Sequence, residues 1–244
     1  MSQQNLTSDS HIWHELVEEV DHLPVYISTP GRNCGPNCGS REFKDELTVS
    51  IHWHEYAEFI WLQGGHMTAV VQADTYELDP GDLLIINSGE LHMTRISQRP
   101  SYCPYVLMQL SAQRMGEYFP GRETLRFTTL IRRAELEKTP AILEPLTAMQ
   151  QLFEANQDGY QLLFRARLFE FLHAMYKLHA STAFRLAENA SARDLKRIMD
   201  VVAWTQEHYR QPLSLEDAAD HLSISKEYFC RIFKKYTGQT FLDY

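Results

Sequence analysis

Four side chains in the first half of the chain, three histidines and one glutamate, are of types that can bind a divalent metal ion. His52 and His54 alternate, Glu58 follows four residues later, and His92 ends the segment GDLLIINSGELH. Alternate residues of a strand point to the same face, so the first two histidines face the same way. Imidazole and carboxylate together suit iron, manganese, nickel or zinc and leave open coordination positions. The set predicts either a metal centre or the polar lining of a ligand pocket, with the groups hydrogen-bonded to each other or to the bound molecule.

A second group of residues, near the end of the chain, has the chemistry of a DNA-reading helix. The segment from Ser225 to Gly238 holds four basic residues and one acidic residue. Arginine pairs with guanine through two hydrogen bonds, and lysine binds phosphate. We therefore expect base contacts from the start of this helix and phosphate contacts from its end. The predicted DNA-binding residues are Lys226, Glu227, Cys230, Arg231, Lys234 and Lys235.

Local signals predict the elements that position this helix. Ser214 and Asp217 resemble a capping box, so a first helix is expected to begin at Leu215. Ser225 suits the cap of a second helix, and Gly238 suits its end. Two short helices joined by a tight turn match the helix-turn-helix plan, which lays the second helix in the DNA major groove. The side of the second helix expected to be buried holds Phe229, Ile232, Phe233 and Tyr236.

The segments SLEDAA and LSISKEYFCRIFKKYTG resemble the first helix-turn-helix of AraC-type transcriptional regulators, over most of residues 194–244. The resemblance implies an effector-responsive regulator with double-stranded DNA and a small molecule as partners, and RNA polymerase as a further candidate partner. Family members carry two such units joined by a linker helix, and Tyr244 stands where that linker would begin. We therefore expect a fragment, a short regulator or a competing regulator, and weak operator binding by the single unit.

The histidine segment is similar to the two cupin motifs, H-x-H-x3-E-x6-G and G-x5-P-x-G-x2-H. The match covers roughly residues 40–110 and departs from the pattern at Asn87, where cupins have proline, and at Ile96, where they have asparagine. The resemblance implies a barrel with His52, His54, Glu58 and His92 inside it. AraC-type regulators commonly use such a barrel to bind their effector, and we add Trp53 and Trp61 as candidate effector contacts.

These observations predict an α+β multidomain protein: an N-terminal cupin-like β-barrel with following helices, then an all-α helix-turn-helix DNA-binding region. The predicted helices before the DNA-binding region are 9–23, 141–158, 160–181 and about 194–209, and short β-rich runs occupy residues 25–131. The expected divisions are an N-terminal arm at 1–24, the barrel at 25–135, a helical packing and dimerisation segment at 136–186, and the DNA-binding unit at 191–244. Helix 160–181 has apolar residues around much of its circumference, so more than one of its sides must be buried. This favours a homodimer.

Charge and composition agree with a regulator. Residues 191–244 hold eight basic and eight acidic residues, whereas residues 1–190 hold 15 basic and 24 acidic residues, so the net charge of −9 belongs to the first part. An acidic sensor part need not touch DNA. No signal peptide pattern opens the sequence, so a cytoplasmic protein without a membrane span is expected. Cys34 and Cys38, spaced C-x3-C, are either a metal-binding or redox pair or simply part of a loop.

The main interpretation is that the protein is not an enzyme. The alternative is a metal-dependent cupin enzyme that uses His52, His54, Glu58 and His92. An enzyme has no need for a basic reading helix, so the helix-turn-helix favours the regulator.

Overall fold

The computed structural model describes most of the chain between residues 13 and 242. The described residues are 13–14, 20–30, 32, 47–72, 74–97, 104–120, 125–181, 194, 197–198, 200–202, 204–205, 208, 211, 213–237 and 240–242. The predicted cysteine pair at 34 and 38 lies outside these residues.

The first part of the chain is rich in short strands. In chain order they are β1 (Trp13–His14), β2 (Tyr26–Ser28), β3 (Leu47–Trp53), β4 (Tyr56–Leu62), β5 (His66–Val71), β6 (Asp74–Leu78), β7 (Leu83–Ile86), β8 (His92–Ser97), β9 (Tyr105–Ser111), β10 (Arg126–Phe127), β11 (Leu130–Ile131) and β12 (Ala180–Ser181). The helices are α1 (Ala112–Tyr118), α2 (Arg133–Leu136), α3 (Pro140–Ala155), α4 (Tyr160–His179), α5 (Leu215–His221) and α6 (Lys226–Thr237).

Ten of the described strands form two five-stranded sheets. The order β1-β3-β8-β5-β6 gives the histidine sheet, and β11-β7-β4-β9-β2 gives the helix-side sheet. Apolar side chains from both sheets form one buried cluster, so the sheets face each other as a flattened cupin-like barrel. The cluster contains Ile60, Leu62, Met67, Ala69, Val71, Leu78, Leu84, Ile86 and Ile96. Ile96, where the cupin pattern has asparagine, is thus part of the hydrophobic core of the barrel.

Helices α3 and α4 cover the other face of the helix-side sheet. Alternation along β4 sends Phe59 to this side, where its ring lies 5.2 Å from that of Phe171 in an edge-to-face contact. The two helices are separated where predicted: Asn156 ends α3 with φ 47°, and Gly159 precedes α4 with φ 76°. A left-handed glycine costs little there, because it has no Cβ to clash with the backbone.

The helix-turn-helix forms as its local signals predict. Ser214 and Asp217 make a full capping box at the start of α5. The Tyr228 N–H donates to the Ser225 hydroxyl at the start of α6, with a distance of 3.2 Å. The predicted inner side of α6 is buried, with Phe229, Ile232, Phe233 and Tyr236 each at most 2% exposed. The described residues between 194 and 208 are helical, in agreement with the helix predicted there.

Two predicted helices need correction. Residues 13 and 14, inside the predicted helix 9–23, form β1, which pairs in parallel with β3 at residues 52 and 53. Residues 180 and 181, at the end of predicted helix 160–181, form β12, which pairs with β10. In both places pairing with a distant strand supplies backbone hydrogen bonds that outweigh the local helical pattern. Helices α1 and α2 were not predicted.

Candidate functional site

The barrel brings the three predicted histidines into one buried group. His52 and His92 are directly opposite each other on β3 and β8. Their ring centroids are 4.1 Å apart, and those of His54 and His92 are 4.8 Å apart. The exposed fractions of His52, His54 and His92 are 4%, 0% and 1%. One ligating atom from each histidine lies within 4.8 Å of the others. We call these three residues together with Glu58 the histidine centre.

Glu58 reaches the same point from the helix-side sheet. Its Oε2 lies 2.7 Å from His54 Nε2 and accepts a hydrogen bond of 2.7 Å from the amide of Gln109. Burial alone would raise the pKa of Glu58, but the hydrogen bond from His54 and the neighbouring histidines lower this pKa to about 2. The carboxylate is therefore charged in the barrel interior.

Backbone carbonyls orient two of the rings. His54 Nδ1 lies 3.1 Å from the Tyr56 carbonyl, and His92 Nδ1 lies 2.8 Å from the Glu90 carbonyl. A nitrogen facing a carbonyl carries the proton, so Nε2 of His92 is left to supply a lone pair. Burial, followed by the charge of His52, lowers the pKa of His92 to about 3, so this ring is neutral near pH 7. Neutral imidazole is the form that binds a metal ion.

Two further features concern the hydrogen-bond partners of the ring nitrogens in this centre. His92 Nε2 is buried and has no hydrogen-bond partner among the described residues. Both ring nitrogens of His54 face oxygen acceptors, one on Tyr56 and one on Glu58. A neutral imidazole has only one N–H, so the second contact needs either a proton or a metal ion. Three nitrogen donors and one carboxylate fit a first-row transition metal.

The loop before β8 holds His92 in place through Asn87. Its side chain accepts from the Phe127 N–H at 2.7 Å and donates to the Phe127 carbonyl at 3.1 Å. Its own N–H donates to Glu90, at 2.8 Å. Proline, which cupins have at this position, lacks both this N–H and these side-chain bonds. Burial raises the pKa of Glu90, whose carboxylate pairs with Arg126 at 3.0 Å.

The two tryptophans predicted to contact the effector do not point toward the histidine centre. Trp53 is on the opposite face of β3 from His52, and Trp61 is on the opposite face of β4 from Glu58, because side chains alternate along a strand. Trp61 packs against the helix-side core and lines a surface cavity of about 340 Å³. Gln109 was not predicted for the site, although one polar residue within the apolar strand YVLMQL was a usable signal.

The predicted DNA-binding residues share the solvent side of α6. Glu227, Cys230, Arg231, Lys234 and Lys235 are exposed. The Arg231 guanidinium lies 4.9 Å from the centre of the Tyr228 ring, a cation–π contact that orients it. Lys226 differs from the rest, because it forms an ion pair with Glu216 of α5.

Comparison with known proteins agrees with both halves of this description. Residues 37–172 match the model of the AraC-like ligand binding domain, and residues 206–244 match that of bacterial regulatory helix-turn-helix proteins of the AraC family. The chain belongs to the AraC family. The predicted resemblance and fold class are thereby confirmed: a sheet-rich domain of cupin type is followed by helices and a helix-turn-helix region.

Curated relatives of this AraC-family chain are regulators. It is 25% identical over 204 residues to an uncharacterised HTH-type transcriptional regulator, YdeC of Bacillus subtilis, covering 80% of this chain and 68% of that protein. It is 24% identical over 201 residues to the transcriptional activator RhaS of an Enterobacter species, covering 78% and 66%. The chain therefore spans about two thirds of the length of these relatives. Regulatory protein SoxS of Escherichia coli is 43% identical over 49 residues, 20% of this chain and 46% of SoxS.

Solved structures with lower likeness include the AraC-like transcriptional activator CuxR, at 9% identity and a TM-score of 0.39, covering 74% of this chain and 61% of CuxR. A variant of oxalate decarboxylase from Bacillus subtilis matches at 18% identity and a TM-score of 0.24, covering 26% and 18%. Among the described residues no helix has the length and apolar character needed to cross a bilayer.

Proposed function

We propose that this protein is a DNA-binding transcriptional regulator whose histidine centre binds a divalent transition metal ion as part of effector sensing. The observation that carries the proposal is the convergence of three buried imidazoles, one of which offers a ring nitrogen with no other partner among the described residues. The relatives are regulators, which supports a sensing ion over a catalytic one. An ion bound there would supply an open coordination position to a small-molecule effector.

The metal proposal is tested by binding rather than by activity. Protein stripped with a chelator is titrated with zinc, and bound metal is counted by elemental analysis. We expect about one ion per chain, and a loss of affinity of at least about 10- to 100-fold in His92→Ala, since even indirect partners of metal ligands have effects of that size. The matched control is His66→Ala, because His66 is a half-exposed histidine paired with Glu77 and Asp79. Zinc binding by His92→Ala as tight as that of the wild type would refute the proposed centre.

The proposed DNA contacts are those of the exposed side of α6. Arg231 and its neighbours would read bases, while Lys234 and Lys235 would bind phosphates. The exposure of these side chains and the buried core behind them support this assignment. RNA polymerase as a partner stays a prediction from the family resemblance, and a cytoplasmic location stays a prediction from the sequence.

We also propose that two copies of the chain associate through α4. Its solvent side carries large apolar side chains: Leu162 is 75% exposed, Leu163 59%, Leu178 57% and Phe169 46%. Leu162 and Phe169 are seven residues apart, so they lie on one stripe of the helix. A second copy of the same stripe is the simplest cover for such a surface, since most soluble oligomers are symmetric homodimers.

A further inference from the structure

The strands that carry the histidine centre have an apolar outer side. His52 lies between Ile51 and Trp53 on β3, and His92 lies between Leu91 and Met93 at the start of β8. Because side chains alternate, the histidines point into the barrel and these four neighbours point away from it. Ile51 and Leu91 are nevertheless 6% and 1% exposed. We call Ile51, Trp53, Leu91 and Met93 the dock.

The DNA-binding unit covers the dock. Ile51 and Leu91 belong to one buried cluster with Ile198, Val201 and Val202, and this cluster continues into the core of the helix-turn-helix. Trp53 and Met93 pack against the same cluster while remaining partly exposed. Ile198, Val201 and Val202 therefore belong to the same buried core as residues of the barrel and of the helix-turn-helix.

The contact leaves the DNA-reading side open. Glu227, Cys230, Arg231 and Lys234 are exposed on α6 while its inner side takes part in the shared cluster. Docking on the barrel therefore orients the reading helix without blocking it. Orientation matters for a dimeric regulator, because the separation and direction of two reading helices must match the spacing of the DNA half-sites.

A β-bulge lies between the histidine centre and the dock. Val49 is opposite Thr94 and His52 is opposite His92, so β3 has one residue more than β8 between these two pairs. Ile51 lies in this bulge. Bulges disrupt the strand ladder locally and are often found next to functional sites. The β3–β8 ladder is thus interrupted next to the residues that carry the histidine centre on one side and the dock on the other.

We infer that the dock holds the DNA-binding unit on the barrel, and that an ion in the histidine centre strengthens this contact. The second half of the inference rests on the proposed metal site. An ion shared by His52 and His92 ties β3 to β8 across the bulge and restrains the two strands that carry the dock. A ligand can shift an equilibrium only if it binds the two arrangements differently. Tighter docking in the ion-bound form therefore implies tighter ion binding in the docked form.

The test is hydrogen–deuterium exchange of the full chain, with zinc as the probe. Without zinc, Met93→Glu should speed amide exchange at residues 197–205 by about tenfold or more, because a charge placed in this apolar contact opposes docking. Thr48→Glu is the matched control. Thr48 is exposed and pairs with Arg95 on the same side of the same two strands. It should leave exchange at 197–205 unchanged. Equal exchange in Met93→Glu and wild type would overturn the dock.

Adding zinc then tests the coupling. In the wild type we expect slower exchange in both β3 and residues 197–205, whereas in Met93→Glu only β3 should respond. Protection of β3 without any response at 197–205 in the wild type would overturn the coupling but leave the metal site intact. If zinc does not slow exchange in β3, both the metal site and the coupling are refuted. The comparison of Met93→Glu with the wild type in the absence of zinc would still test the dock by itself. Circular dichroism checks folding, and Trp53→Ala repeats the measurement if Met93→Glu fails to fold.

Discussion

Arg231 and the histidine centre have opposite environments, and the chemistry of each follows from its environment. The guanidinium is exposed on α6 and lies beside the Tyr228 ring, where it can approach DNA. The imidazoles are buried in the barrel, where His92 stays neutral and its lone pair has no competing proton near pH 7. Burial thus favours metal binding in the barrel, and exposure favours DNA binding on the helix.

Arg231→Ala should weaken sequence-specific DNA binding by about 1–3 kcal/mol, because the bidentate contact with guanine is lost. Binding to random DNA should change much less, since base contacts contribute little there. The measurement is a mobility-shift titration with a sequence selected by the wild type and with random DNA. Lys234→Ala is the comparison. It should weaken binding to the selected DNA and to random DNA, and it should reduce the slope of log affinity against log salt concentration by about one. Equal losses on both DNAs for Arg231→Ala would contradict base reading.

His92 should make folding stability depend on pH. Its pKa is 6.5 in an ordinary environment and about 3 in the folded chain, so below pH 6.5 the unfolded state binds a proton that the folded state does not. The free energy of unfolding therefore falls by about 2 kcal/mol between pH 6.5 and pH 5 from this group. The lowered pKa of Glu58 acts only below pH 4.5, outside this window.

The measurement is urea unfolding at both pH values in the presence of a chelator. His92→Gln should lose less free energy of unfolding over this window than the wild type, because glutamine does not titrate. His66→Gln is the control, since the pKa of His66 is raised by its hydrogen bonds to the carboxylates of Asp79 and Glu77, so the contribution of His66 has the opposite sign. An equal fall in His92→Gln and wild type would show that the folded-state pKa of His92 is not depressed.

At the scale of elements, short loops and strand ends position the site. The loop from Asn87 to Leu91 delivers His92 to the point opposite His52, and the Gly89 N–H donates to the His54 carbonyl at 2.9 Å. The same loop is joined to β10 through Phe127. The position of His92 therefore depends on hydrogen bonds made by residues that are distant in sequence.

Asn87→Ala should lower the free energy of unfolding by about 1–3 kcal/mol. The substitution leaves the buried N–H and carbonyl of Phe127 without their side-chain partners, and unsatisfied buried groups have costs of this size. Thermal or urea unfolding measures the loss. Thr128→Ala, at an exposed neighbouring residue, should change stability by less than about 0.5 kcal/mol. A loss for Asn87→Ala no larger than for this control would show that the loop is held by other contacts.

At the scale of the whole molecule, the two sheets position three features: the histidine centre, the dock and the apolar stripe of α4. The histidine sheet has the histidine centre inside and the dock outside, while α4 presents its apolar stripe from the far side of the helix-side sheet. In a dimer formed through α4, each barrel would orient its own DNA-binding unit through the dock. A change in one histidine centre would then alter the geometry of a pair of reading helices.

Leu162→Glu should convert a dimer into monomers. Burial of one leucine contributes about 1.5–3 kcal/mol, and each dimer buries two copies, so the dissociation constant should rise by at least about 100-fold. Sedimentation velocity over a concentration series measures it. Lys177→Glu, an exposed charge reversal on the same helix, should leave the association unchanged. A wild type that stays monomeric at high concentration, or a Leu162→Glu variant that still dimerises, would refute the α4 interface.

Local signals in the sequence were enough for the DNA-binding unit. The capping box at Ser214, the cap at Ser225 and the apolar spacing along α6 act over three or four residues, so they predict the two helices and their buried side correctly. The alternation of His52 and His54 is likewise local. The family resemblance added the barrel and the role of His92, which is distant from them in sequence.

Only the tertiary structure decided which side chains meet. Trp53 was expected beside the effector, but the pleat of β3 turns it to the dock, while Gln109 reaches Glu58 because β9 pairs with β4. Residues 13 and 14 of the predicted N-terminal helix form β1 instead, because a distant strand edge was available at residues 52 and 53. Strand register and the packing of one unit on another depend on contacts between remote residues, which local periodicity does not encode.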